Sequence, residues 1–239
     1  TITISTGIVD ANGLFDATGG LVTFIDSGNL TLDSTVISLG TLSTTNGTVT
    51  YDGVDQTVFS DIYYSLTAGG ASGTKTLGGN VTVANDLTID TDVTISMNTH
   101  LLTVTNVTDI DGTLAVAGDT LTLDGASDID GTITISTGTV DANSVFDAEN
   151  GSITFTGAGN LTLFSTVTSL GTLSDNFGTV TYEGVNQTIF SDDYYSLTAG
   201  GGSGTKTLGG DVTVAGDFTV DADVTFDVSS ISDYSVSIG

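Results

Sequence analysis

The stretch YDGVDQTVFSDIYYSLTAGGASGTKTLGG at 51–79 is written again at 182–210 as YEGVNQTIFSDDYYSLTAGGGSGTKTLGG. Five of its 29 positions differ: Asp52 against Glu183, Asp55 against Asn186, Val58 against Ile189, Ile62 against Asp193 and Ala71 against Gly202. Sliding the whole chain along itself aligns Thr1 with Thr132 and runs without a gap to Ser96 and Asp227, with about 70 of those 96 positions identical. Repetition on this scale bears on the fold class before any single residue does.

A shorter period lies inside the long one. Alternating apolar and polar residues recur in TITIS (1–5), LVTF (21–24), TVTY (48–51), TKTL (74–77) and LLTV (101–104), and the series resumes at 132. Cut there, the stretch 1–131 holds five units of about 26, each with two or three short strands bounded by Gly, Asn or Asp. Abundant Thr, Val and Ser suit strands, and few helix-favouring Ala, Leu, Lys and Glu argue against helix. All-β units of this size point to a solenoid with one unit per coil. The expected fold is a parallel β-helix of about nine coils, right-handed as parallel crossovers are. Its coils would stack about 4.8 Å apart into a rod of roughly 40–45 Å. Residues 1–131 form the first super-repeat and 132–239 a shorter second one, continuous with it. Ile2, Val22, Val49, Leu102 and Val104 are expected in one inward column, with Ile4, Phe24, Tyr51 and Leu77 in another. The alternative is a tandem array of β-sandwiches, against which stand the short unit and the absence of Trp.

GTVTYDGVDQTVFSDIYYSLTAGG (47–70) and GTKTLGGNVTVANDLTID (73–90) resemble the strand repeats of large bacterial surface and secreted β-solenoid proteins, the filamentous-haemagglutinin-like adhesins and related fibres. The resemblance covers nearly the whole chain. It implies an extracellular stalk, fibre or adhesin, and it carries no catalytic motif.

Charge narrows the partners. The chain has 29 carboxylates, two Lys, no Arg and one His, for a net charge of −27. Such a polyanion repels nucleic-acid phosphates and anionic lipid heads and attracts cations. No apolar run approaches the roughly 18–20 residues of a membrane span. Without Cys there is no disulfide framework. His100 has no second His or Cys to join it, and a chain this regular has no irregular place for an active site, so no enzymatic activity and no required cofactor are expected.

Three groups of residues are candidate sites. Lys75 and Lys206, the only cationic side chains other than His, sit in TKTL where neighbouring strands carry Val49 or Ile2. An inward ammonium needs a carboxylate partner, giving a structural ion pair, or else its stem lies on apolar surface and its amine reaches water. Second are the acidic turns, Asp109 and Asp111 in TDIDGT, Asp128 and Asp130 in SDIDGT, Asp90 and Asp92 in DTD, Asp221 and Asp223 in DAD. Asp residues stacked one coil apart would repel, and Ca²⁺ would relieve them, although the third acidic position and terminal Glu of an EF-hand are missing. Third is a Thr-x-Thr ladder: Thr48 and Thr50, Thr74 and Thr76, Thr103 and Thr105, Thr132 and Thr134, Thr179 and Thr181, Thr205 and Thr207. On one flat outer face these pairs would offer a surface to glycan or ice. Asn-x-Thr at Asn29, Asn46, Asn80, Asn106, Asn160 and Asn186 permits glycosylation in a secreted chain. Of the pairs Tyr63–Tyr64 and Tyr194–Tyr195, strand alternation leaves at most one ring on a given face.

The near-identical copies suggest a protein that makes length. The expectation is an extracellular structural fibre, joining further copies head-to-tail through open end coils or continuing into further repeats of a longer chain. The alternative is an adhesin or a glycan- or ice-binding module using the Thr face.

Overall fold

The computed structural model describes residues 1–70, 72–174, 176–228 and 234–239, which form 36 strands and no helix. None of its elements is a helix long and apolar enough to cross a membrane. Every strand pair is parallel, and each strand pairs with the one three places before or after it. Three strands therefore make one coil, and 36 strands make twelve coils of a β-solenoid.

The solenoid has three faces. The first runs from Ile2–Ile4 through Leu21–Phe24 to Thr41–Leu42, then from Ile62–Tyr63 through nine paired strands to Phe218–Val220. The second runs through nine strands from Ile8–Ala11 to Val167–Ser169, then from Gln187–Ile189 through Gly204–Leu208 to Val224–Asp227. The third holds Phe15–Asp16 and Val36–Ser38, seven strands from Gln56–Val58 to Thr172–Leu173, and three from Asp193–Tyr194 to Val236–Ile238.

The coils are smaller and more numerous than expected, twelve in place of nine. Shared among twelve coils, the 239 residues of the chain give each coil fewer than the expected unit holds. Down the second face, the inward residues Val9, Leu30, Val49, Leu66 and Leu87 are direct partners, so the stretch from each to the next measures one coil. The unit boundaries mislead because strands alike in sequence do not share a face. Val22 and Ile2 are partners on the first face, whereas Val49 lies on the second and Leu77 on the third. Val22, Val49, Leu77 and Leu102 are all buried, so their inward direction is legible in the sequence and their column is not.

The copies obey the same rule. Ile2–Ile4 is the first strand and its counterpart Thr132–Ile135 the twenty-first, a shift of 20 strands, or six coils and two strands. Each copy, 1–96 and 132–227, contributes 15 strands, a whole five coils. The rest is the spacer 97–131, whose five strands from Leu102–Val104 to Ser127–Ile129 add one coil and two-thirds. The second copy therefore repeats the local pairing of the first but is turned by two-thirds of a revolution about the rod.

The interior is filled by these inward columns, and most Leu, Ile and Val at strand positions are fully buried. At about 1.5–3 kcal/mol for each large apolar side chain, the columns supply the driving force for coiling. Gly47 sits at a corner with φ +79, where a Cβ would lie 2.2 Å from the ring of Phe24. Both the backbone conformation and the space require Gly there.

Candidate functional site

The ladder is interrupted twice in each copy. Val36–Ser38 does not pair with Gln56–Val58, and the second copy repeats this between Val167–Ser169 and Gln187–Ile189. Thr41–Leu42 does not pair with Ile62–Tyr63, nor Thr172–Leu173 with Asp193–Tyr194. Broken ladders strand backbone groups, and buried ones must find other partners. The repeated phrase supplies them.

At the first interruption the partner is a glutamine. Gln56 Nε2 donates to the carbonyls of Leu32 at 2.7 Å and Ser34 at 2.8 Å, and its Oε1 accepts from Gly53 N–H at 2.7 Å. Gln187 does the same for Leu163, Ser165 and Gly184. One coil on, Lys75 is the direct strand partner of Gln56 and donates its Nζ to the carbonyls of Gly53 and Val54. Lys206 stands on Gln187 and donates to Gly184. Both lysines are 0% exposed, so neither amine reaches water. In place of the expected ion pair, each ammonium bonds main-chain oxygens, with Asp52 and Asp55 acting on Lys75, and Glu183 and Asp221 on Lys206, through space. Burial lowers both amine pKa values, and these carboxylates oppose it.

A cleft of about 640 Å³ opens at this interruption in the first copy, lined by Thr35, Asp55, Gln56, Thr57, Thr74 and Thr76. The corresponding cleft in the second copy is about 310 Å³, with Phe164, Asn186 and Gln187 in its wall. The first opens on the third face and the second on the second face, as the turn between copies requires.

At the second interruption the partners are tyrosines. Phe59 N–H donates to Tyr51 Oη at 2.9 Å, and Tyr63 O–H donates to the Phe59 carbonyl at 2.6 Å. The 2.9 Å contact between the two hydroxyls then carries the Tyr51 proton to Tyr63, and the cycle closes. Tyr182, Tyr194 and Phe190 build the same ring. Burial pushes the Tyr51 hydroxyl up to about 12 and Tyr63 well above its usual value. As strand alternation implies, one tyrosine of each pair turns inward: Tyr63 and Tyr194 are buried, while Tyr195 is exposed.

The acidic residues form a stripe rather than a nest. Asp109, Asp128 and Asp147 are consecutive direct partners on the outside of the second face. Asp111 and Asp130 follow at the next corner, and Asp90 precedes them by one coil. Burial, then neighbouring carboxylates, raise the Asp90, Asp109 and Asp128 pKa values; the first such neighbour is Asp111 for Asp90 and Asp109, and Asp130 for Asp128. Asp92 and Asp223 adopt φ 66 and 67 and shape turns. Among the described residues, no three His or carboxylate side chains converge closely enough to hold a metal ion.

The single flat Thr-x-Thr face expected from the sequence is not formed, because the pairs are dealt out among all three faces. Thr48 and Thr50 lie on the second face, Thr74 and Thr76 on the third, Thr132 and Thr134 on the third, Thr205 and Thr207 on the second. Thr103, Thr179 and Thr181 lie on the first, with Thr105 in the turn after its strand. The partners of the second members show the scatter. Thr50 stands between Thr31 and Thr67, Thr134 between Ala115 and Thr154, and Thr207 between Thr188 and Asp227. No two of Thr50, Thr134 and Thr207 are neighbours, so they offer no common surface to glycan or ice. Outward Thr columns nevertheless exist and mix strands of different ancestry. On the first face Thr82, Thr103 and Thr122 are consecutive partners, then Thr162, Thr181, Thr198 and Thr219 after an interruption at Asp141. On the third, Thr74, Thr94, Thr113, Thr132 and Ser152 follow one another.

Sequence reasoning misses Gln56 and Gln187, although they are the only two glutamines in the chain and stand within the most repeated phrase. The arrangement as a whole gives partners to backbone groups at the interruptions. The fold and its polar plugs define a β-solenoid of duplicated five-coil segments. Compared with known proteins, the chain matches no family model, no curated protein and no solved structure.

Proposed function

We propose that the chain is a segment of an extracellular structural rod, built to give length and to continue coil on coil, with other copies head-to-tail or with further repeats of a longer chain. The observation that carries this is the turn between copies. A face that recognised a ligand through duplicated residues would need a whole number of coils per repeat, whereas 20 strands move every duplicated feature to another face. A rod tolerates that shift, because each strand is interchangeable among faces.

The end coils support the same conclusion. Ile2, Val9 and Phe15 are only partly buried, while their counterparts Ile133, Val140 and Phe146, covered by a coil on each side, are fully buried. Phe218, Val224 and Phe226 are partly buried against fully buried Leu87 and Ile95 and nearly buried Val93. A further coil at either end would bury them in the same way and pair the open strand edges. The surface of net charge −27 would keep such rods apart laterally and hydrated.

Electron microscopy and sedimentation over a range of concentrations test this. End-to-end association that grows with concentration and disappears in Ile2→Asp or Phe226→Asp is expected. Single rods of one length at every concentration, unaltered by these substitutions, would overturn assembly through the ends. The second reading, a binding module, is favoured by the outward Thr columns of the first and third faces. Binding to glycan or ice that bulky residues at the partly exposed partners Thr103 and Thr122 abolish, with assembly unaltered, would establish it.

A further inference from the structure

The two copies part company at one corner. In the first copy a depression beside Tyr64, between the first and second faces, has a volume of about 260 Å³ and eight lining residues. Four of these, Tyr64 among them, are unchanged at the equivalent positions of the second copy. The other four all lose their polar groups: Asp26 becomes Gly157, Ser27 becomes Ala158, Asn46 becomes Phe177 and Asn85 becomes Gly216.

The consequences can be followed atom by atom. In the first copy Asn85 donates to Ser65 Oγ at 3.1 Å and accepts from Asn106 at 3.2 Å, so that a polar ladder runs along the corner. In the second copy the ladder is gone, and the ring of Phe177 lies 6.2 Å from that of Tyr195, tilted by 47°. These residues are 51% and 40% exposed. A Cβ on residue 216 would come within 3.6 Å of Tyr195 Cε1 and 3.1 Å of its carbonyl, so Gly216 keeps that edge of the ring open. Ser196 Oγ accepts from Asp217 N–H at 3.3 Å, which places a hydroxyl group at the rim of the pair.

We propose that Phe177 and Tyr195 form a platform for a neutral polysaccharide, with the C–H face of a sugar ring laid against one aromatic face and the other ring, tilted by 47°, flanking it. Aromatic faces are electron-rich and attract the polarised C–H groups of a pyranose while burying its apolar side. The sugar's hydroxyls then meet Ser196 and its strand partner Thr179 at the edge. An anionic glycan is disfavoured by the charge of the whole chain. A second copy of the protein fits poorly, since a stable protein contact covers about 800 Å² on each partner, whereas two rings flanked by Gly157, Ala158 and Gly216 offer far less. The platform occurs once in the two copies and is independent of the rod's assembly.

The test uses the whole chain with cellohexaose, chitohexaose and maltohexaose as neutral probes and polygalacturonate as the anionic control, read by saturation-transfer NMR and by affinity electrophoresis. Binding of at least one neutral hexaose is expected, weakened about tenfold or more in Phe177→Ala and in Tyr195→Ala and unchanged in Asn46→Ala. Both rings are exposed, so unaltered circular dichroism should accompany the weakening. The paired substitutions Asn46→Phe and Asn85→Gly should build a second platform on the first copy and double the stoichiometry. Failure of the native chain to bind any neutral hexaose would overturn the proposal. So would equal binding by Phe177→Ala, or a self-association that Phe177→Ala abolishes without any sugar effect.

Discussion

The hydroxyls of Tyr51 and Tyr63 lie 2.9 Å apart inside the first copy and, with the backbone of Phe59 between them, spend every donor on an acceptor. Tyr51→Phe removes the acceptor of the Phe59 N–H and the donor to Tyr63, and is expected to cost about 1–3 kcal/mol, the penalty of a stranded buried polar group. Urea unfolding would measure it, and Tyr182→Phe should cost a similar amount. The same cycle predicts alkaline sensitivity. The Tyr51 hydroxyl is raised to about 12 against an ordinary 10.0, so the folded state keeps its proton where the unfolded chain loses it. Its contribution is intact below pH 10 and lost as the pH rises to about 12. A melting temperature that stays flat across that range would refute this account.

Gln56 and Lys75 answer to different physics, although they are strand partners. Gln56 is neutral and makes three short hydrogen bonds, so Gln56→Leu should strand Gly53 N–H and the Ser34 carbonyl, while the Leu32 carbonyl keeps the Asp52 N–H, at a cost of about 2–4 kcal/mol. Lys75 bonds carbonyls too, but burial opposes its charge more than Asp52 and Asp55 favour it. Lys75→Met should therefore cost clearly less than Gln56→Leu at neutral pH, since it also removes the desolvation of an ammonium. Denaturation midpoints of the two variants, with Gln187→Leu and Lys206→Met as internal repeats, decide the order.

The fold class was legible because the period-two alternation, the turn residues and the duplication all agree, and physics leaves few ways to bury alternate faces of short parallel strands. Coil length was not, because three faces of a solenoid present the same inward-outward alternation. Nothing local to Thr48–Tyr51 distinguishes the second face from the first, and the counterpart strand Thr179–Tyr182 indeed occupies the first. Only counting strands through the spacer 97–131 shows the phase. The same blindness scatters the Thr-x-Thr pairs, since Thr50 and its copy Thr181 stand on different faces. The inward lysines were visible as charges at apolar positions. Their carbonyl partners were not, since those belong to a preceding turn whose position depends on coil length. The stacking of Asp109 on Asp128 could be read by laying TDIDGT on SDIDGT, where motif spacing equals the length of a coil.

That stacking predicts an inverted acid response. Asp90, Asp109 and Asp128 all have pKa values raised above the ordinary 3.8, burial being the largest cause and neighbouring carboxylates next. The folded state thus binds these protons more tightly than the unfolded chain, and stability falls as the pH rises above about 4. Asp16 and Asp211, held low by bonds from Thr18 and Ser235, act in the opposite sense but only below 3.8. Acidification from pH 7 towards 4 should raise the melting temperature, and Asp109→Asn should raise it at pH 7 and flatten the slope. Millimolar CaCl₂ should act no more strongly than NaCl of equal ionic strength if the stripe is merely screened; a larger calcium effect, absent in Asp109→Asn, would assign it a bound cation.

Thr108 and Ser127 occupy neighbouring inward positions of the same two strands, between Leu87 on one side and Phe146 on the other. Both side chains are buried, and among the described residues neither hydroxyl has a hydrogen-bond partner. Every other inward position in this column that lies within the first nine coils is apolar, so the two hydroxyls interrupt it without a compensating bond. A hydroxyl buried in this state costs roughly 1–3 kcal/mol relative to an apolar group of the same shape. Thr108→Val keeps the branched shape and is expected to stabilise by about 1 kcal/mol. Ser127→Ala removes only the oxygen and should stabilise by less, because the space it leaves has no new occupant. The double substitution tests whether the two hydroxyls share a bound water: additive gains mean two isolated groups, whereas a loss in either single variant that the double variant repairs would mean a water bridging them. A urea series on the four chains separates these outcomes. Destabilisation in both singles and in the double would show that the hydroxyls are satisfied in solution.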